Sequence, residues 1–146
     1  MLIIPGIFYN TILISAVTAW AIAQILKVVV NVILFRKLDF QLIFSSGGFP
    51  SSHSATVSAL ALGIGKYYGW DSPVFAVSAV FGMIVLYDAA GVRRAAGKQA
   101  EVLNQLVERL YPSPNSDQDR LKELIGHTPL EVFGGVIVGI IVGLLI

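Results

Sequence analysis

Two histidines carry the chemistry open to this chain, and each stands in a setting that suits work on an anion. His53 closes the run Gly47-Gly48-Phe49-Pro50-Ser51-Ser52-His53-Ser54-Ala55, which leads straight into an apolar, small-residue segment ending at Tyr68. That order reads as a helix start. The first N–H groups of a helix lack internal partners and sit at the positive end of its dipole, so an anion settles against them. Glycines such as Gly48 and small serines allow close approach, and an imidazole gives or takes a proton near neutral pH. The blander reading of the same residues makes Ser51 or Ser52 only an N-cap and His53 a polar residue at a membrane edge.

His127 is followed four residues later by Glu131. Transfer through a histidine needs an imidazole held in one tautomer, usually by a carboxylate on its other nitrogen, and Glu131 is the candidate. The competing role for Glu131 is to close a capping box with Thr128. With a phosphate ester held by Lys27, the Ser51 and Ser52 region and Arg93 or Arg94, charge would be offset where transfer requires it. One histidine can then attack phosphorus while the other protonates the leaving oxygen. Asp88 and Asn31 are polar neighbours that could support such a site.

The elements that must position these groups are membrane helices. Of 146 residues, 55% are hydrophobic and only 13% charged, enough for one domain over 1–146 and far from a soluble balance. Residues 7–35 are long and apolar enough to span, with Gln24, Lys27 and Asn31 stacked on one inward face. An ionised lysine there must meet protein or water and an anionic partner, or snorkel to the interface. A second helix should run from the serines to Tyr68, and a third over 74–87, capped by Asp71-Ser72-Pro73 and ended by Asp88-Ala-Ala-Gly-Val-Arg93-Arg94. Residues 92–110 read as a separate amphipathic helix along the interface, with Val92, Ala96, Leu103, Leu106, Val107 and Leu110 as its apolar face. Residues 112–119 read as a loop and 121–125 as a short turn, before a last span from Thr128-Pro129 to Ile146. In that span Gly135, Gly139 and Gly143 form a stripe for close packing on another helix of the chain or on a second copy, the route to a homodimer. The fold class is therefore all-α, a polytopic membrane bundle of about four spans plus the amphipathic helix.

Charge places the site and excludes partners. The connections after the first and third spans hold Arg36, Lys37, Arg93, Arg94, Lys98, Arg109, Arg120 and Lys122, against Lys66 alone on the other side, so these connections are expected in the cytoplasm. The same topology gathers both histidines, Lys27, Asp88 and Glu131 at that face. A net charge of +1 argues against nucleic acid, and the absence of cysteine excludes disulfides and thiolate chemistry. Two histidines are too few for a three-histidine zinc site, which leaves a carboxylate-held magnesium as the open metal alternative. Residues 1–10 lack the basic start of a cleaved signal peptide, so the first span is expected to stay.

Pro50-Ser51-Ser52-His53 resembles the second motif, Pro-Ser-Gly-His, of the type 2 phosphatidic acid phosphatase superfamily, which includes vanadium haloperoxidases and bacterial acid phosphatases. The run Gly47 to Ala55, Tyr87-Asp88-Ala-Ala-Gly-Val-Arg93-Arg94 and Gly126-His127-Thr-Pro-Leu-Glu131-Val resemble signatures of its small divergent membrane branch. The resemblance implies His127 as nucleophile, Glu131 in the place of the superfamily's Asp, and His53 as general acid and then base. It implies a phosphate cradle of Lys27, Ser51, Ser52 and an arginine, with no metal and no cofactor. Departures are plain: the expected Arg-Pro pair seven residues after the lysine falls on Leu34, and the arginine expected six residues before the second histidine falls on Leu121. Arg93 or Arg94 would have to stand in.

The expected activity is hydrolysis of a membrane lipid phosphate monoester or diphosphate through a phosphohistidine. Phosphatidic acid, phosphatidylglycerophosphate and prenyl phosphates or diphosphates are the candidate substrates, in a bacterial inner membrane or a plastid-type membrane. Two other classes compete: a small membrane carrier with Lys27 and Asp88 as gating charges, and a non-catalytic lipid-binding assembly factor that keeps the fold.

Overall fold

Small residues, not large ones, fill the interior of this chain. In the computed structural model, which describes residues 4–36, 47–110, 121 and 126–146, the buried apolar cluster is Ala19, Ala23, Ala55, Ala59 and Val142. Val17, Ile25, Ile33, Val77, Met83 and Phe133 instead turn outward, each more than half exposed. That inverted distribution suits lipid, where no hydrophobic force joins helix to helix and small residues let backbones approach. The chain is an all-α membrane helix bundle.

Its described elements are α1 (Ile4–Ile7), α2 (Thr11–Phe35), α3 (Ser52–Tyr68), α4 (Pro73–Tyr87), a π-helical turn (Asp88–Val92), α5 (Arg93–Leu110) and α6 (Pro129–Leu145). The first span begins later than expected, because Asn10 caps α2 by accepting the Leu13 N–H at 3.0 Å. Ser51, Ser72 and Thr128 cap α3, α4 and α6 in the same way, and Pro73 and Pro129 open their helices where no N–H is needed. Two stretches, Thr11–Leu34 and Pro73–Leu110, are long and apolar enough to cross a membrane, and Pro129–Leu145 is a shorter apolar helix. The 17 residues of α3 reach only about 25 Å, so a helix start on it lies below the membrane surface if its other end is at the opposite one.

Helix α3 is central, packed on α2, α4 and α6. Glycines set those distances. A Cβ on Gly135 would collide with the Ser51 carbonyl oxygen, one on Gly139 would stand 2.7 Å from Ser58 Cβ, and one on Gly143 would stand 2.8 Å from Leu62 Cδ2. The stripe on α6 thus packs against α3 of the same chain.

The third span does not end at Asp88. Helix α4 runs through the π turn directly into α5, where the Arg93 N–H reaches the Asp88 carbonyl five residues back. The charges and Gly91 that read as a stop are instead a widened turn inside one helix. Helix α5 turns Gly97, Ala100 and Asn104 inward, while Val92, Leu103, Leu106, Val107 and Leu110 are exposed. The apolar face expected there exists, but the side that α5 buries is the small-residue stripe beside it. Lys37, Arg120, Lys122, the loop at 112–119 and most of the turn at 121–125 lie outside the described residues.

Candidate active site

The site is built where the chain before α6 lies down on the π turn. Gly126 adopts φ +97°, and a Cβ there would stand 2.5 Å from the Arg94 amide nitrogen. Only glycine lets the chain lie this close to the helix backbone. The next residue, His127, donates its backbone N–H to the Ala89 carbonyl at 2.9 Å. A π turn releases carbonyls from the regular helix ladder, and one of them here holds the residue that carries the imidazole.

Thr128 then caps α6, with its Oγ1 accepting the Glu131 N–H at 3.3 Å. Glu131 Oε2 accepts the Thr128 N–H at 3.0 Å and also lies 3.1 Å from His127 Nδ1. The two competing roles for Glu131 are therefore filled by one oxygen. An ionised carboxylate only accepts, so Nδ1 carries the hydrogen and Nε2 is the nitrogen left to act. His127 is 2% exposed, and its Nε2 is buried with no hydrogen-bond partner. Buried polar atoms without a protein partner are the exception in folded chains.

His53 stands across from it in the first turn of α3, with ring centroids 6.2 Å apart and planes tilted by 59°. His53 is exposed where His127 is buried. A small recess lies against both, lined also by Val85, Asp88, Ala89 and Arg93. In an α-helix a residue five positions on points about 140° away. The π turn reduces that offset, and the Arg93 Nε meets the Asp88 carboxylate in an ion pair at the rim.

The cradle side is set by a loop. Gly48, at φ +102°, leaves no room for a Cβ, which would stand 3.0 Å from Lys27 Cγ. The Ser51 N–H donates to the Glu131 carbonyl at 2.9 Å, tying the start of α3 to the start of α6. Lys27 is 2% exposed, so it does not snorkel, and its charge acts on both Glu131 and His53. Arg93 and Asp88 add their charges at His53.

Of the residues expected at the site, the fold gathers His53, His127, Glu131, Asp88 and Arg93, with Lys27 behind them. Ser51 and Ser52 are buried at the start of α3 and do not line the recess; the Ser51 hydroxyl instead accepts from Ser54 N–H and Oγ at 3.3 and 2.9 Å. Arg94 is exposed outside the recess and contributes backbone under Gly126. Asn31 is half-buried one turn beyond Lys27. Val85 and the Ala89 carbonyl were not anticipated, since nothing in an apolar residue type marks it as lining a site.

A model of the divergent PAP2 family matches residues 8–142. The chain belongs to the divergent PAP2 family. It is similar to an uncharacterized membrane protein, YuiD, of Bacillus subtilis (strain 168), with 45% identity over 148 residues that cover 94% of each chain. No solved structure matches. The family model covers every residue of the site, from Lys27 to Glu131.

Proposed function

We propose that this chain is a membrane phosphatase that hydrolyses a lipid phosphate monoester or diphosphate through a phosphohistidine. The observation that carries the reading is His127: a buried imidazole with Nδ1 on Glu131 and an unpartnered Nε2, facing a second histidine across a recess. In the first step Nε2 attacks phosphorus, the P–O bond to the lipid breaks, and protonated His53 gives its proton to the leaving oxygen. In the second, His53 takes a proton from water, the water oxygen bonds to phosphorus, and the P–N bond breaks to release phosphate. Lys27 and Arg93 offset the charge of the transferred group. Glu131 holds the tautomer and stabilises the phosphorylated imidazole.

Phosphatidic acid, phosphatidylglycerophosphate and prenyl phosphates or diphosphates are the substrates of this reading, acted on at the cytoplasmic face. The basic residues after α2 and on α5 support that orientation. The test is phosphate release by purified protein from a panel of these lipids, with His127→Ala as control. Release that depends on His127, survives a chelator and is blocked by vanadate supports the reading. Transport of a lipid or ion without phosphate release would favour a carrier, and binding without either a non-catalytic role.

A further inference from the structure

We infer that Asn104 is a positioning residue for His127, which makes α5 the arm that aligns the nucleophile. This rests on the reading of His127 given above. Asn104 lies far from the recess, yet it is a buried polar side chain at 7% exposure. Its Nδ2 donates to the Leu121 carbonyl at 2.9 Å, and its Oδ1 accepts the Leu121 N–H at 3.0 Å. Two opposed bonds to one residue fix both the position and the direction of the backbone they grip.

Leu121 precedes His127 by six residues. At the other end of this step, Gly126 presses on the Arg93 and Arg94 backbone, and the His127 N–H binds the Ala89 carbonyl. The chain that delivers the nucleophile is therefore held to one continuous helix at two anchors. Only four residues separate Leu121 from Gly126. Over so short a link, a shift of Leu121 away from the recess is passed to Gly126 and to the imidazole. His53 and Arg93 lie outside the 121–127 step, so loss of this anchor should act on turnover and not on substrate binding.

The test uses the full chain in lipid nanodiscs with ¹⁵N-labelled histidine. Two histidines give two sets of ring signals, assigned with His127→Ala. Asn104→Asp keeps the size of the side chain and removes its N–H donor; Asn104→Ala removes both bonds. Both should shift and broaden the His127 ring signals while those of His53 stay in place. kcat for phosphate release should fall, on the order of 10²-fold for a displacement near 1 Å, with KM unchanged. Unmoved His127 signals would overturn the inference. So would equal disturbance of both histidines with loss of helical circular dichroism, since Asn104 would then serve the fold as a whole. Should the unaltered chain release no phosphate while the His127 signals still respond to Asn104→Asp, the hydrolase reading fails and the positioning role stands.

Discussion

Replacing Glu131 by Gln separates the two roles that one carboxylate oxygen fills. Glu131 Oε2 accepts the Thr128 N–H at 3.0 Å as part of the capping box and lies 3.1 Å from His127 Nδ1. A glutamine carbonyl keeps the size and the acceptor, so the cap survives, and helix stability should change by less than the ~1 kcal/mol that loss of a cap costs. What is lost is the charge. Hydrogen bonds to charged groups contribute roughly 1.5–3 kcal/mol against about 1 for neutral ones. The difference falls on the state in which His127 is positive, which is the phosphorylated imidazole and the transition state leading to it. A deficit of about 0.5–2 kcal/mol corresponds to a loss of roughly 2- to 30-fold in kcat. The assay is steady-state phosphate release in nanodiscs beside a thermal melt of the same samples. Glu131→Gln should lose turnover with Tm nearly unchanged, whereas Glu131→Ala should lose both. Unchanged turnover in Glu131→Gln would refute the orienting role and leave Glu131 as a helix cap.

Three further outcomes follow from the same geometry. Gly139→Ala puts a methyl group against the Ala55 carbonyl and Ser58, and a melt should register the ~1–3 kcal/mol typical of overpacking. Arg93→Ala should raise KM roughly 10- to 100-fold, as expected for a lost charge-assisted bond, while Arg94→Ala, outside the recess, should stay within about two-fold of the parent; comparable KM values for both would remove Arg93 from the cradle. General acid catalysis supplies about 10²–10⁴-fold and matters less for a good leaving group, so p-nitrophenyl phosphate should partly rescue the phosphorylation step of His53→Ala but not of His127→Ala.

What was legible in the sequence were the features that spacing alone encodes. Ser51, Ser72 and Thr128 appear as caps because small polar residues precede apolar runs, and Gln24 and Lys27 appear as an inward face because they lie three apart. The pairing of His127 with Glu131 follows from a separation of four, and the cap from Thr128 lying three residues before Glu131. The π turn at Asp88–Val92 was not legible. One extra residue in a helical turn leaves no periodic trace over five positions, and its charges imitate a helix end. Without that turn the choice between Arg93 and Arg94 stays open, because adjacent residues point about 100° apart and only the local phase decides which meets Asp88. Ser51 shows the opposite difficulty: residue type marked it equally as phosphate ligand and as cap, and the bonds from Ser54 are those of a cap. The glycine stripe on α6 announced close packing without naming its partner, since only the three-dimensional path brings α3 beneath it.

The central claim is that phosphate passes through His127. Full-length protein is mixed with ³²P-labelled lipid substrate, quenched within milliseconds under alkaline denaturing conditions that preserve phosphohistidine, and digested for mass spectrometry. The label is predicted on His127, absent in His127→Ala, and increased in His53→Ala supplied with an activated substrate, where the second step lacks its base. Label on His53, or turnover in His127→Ala, would contradict the account.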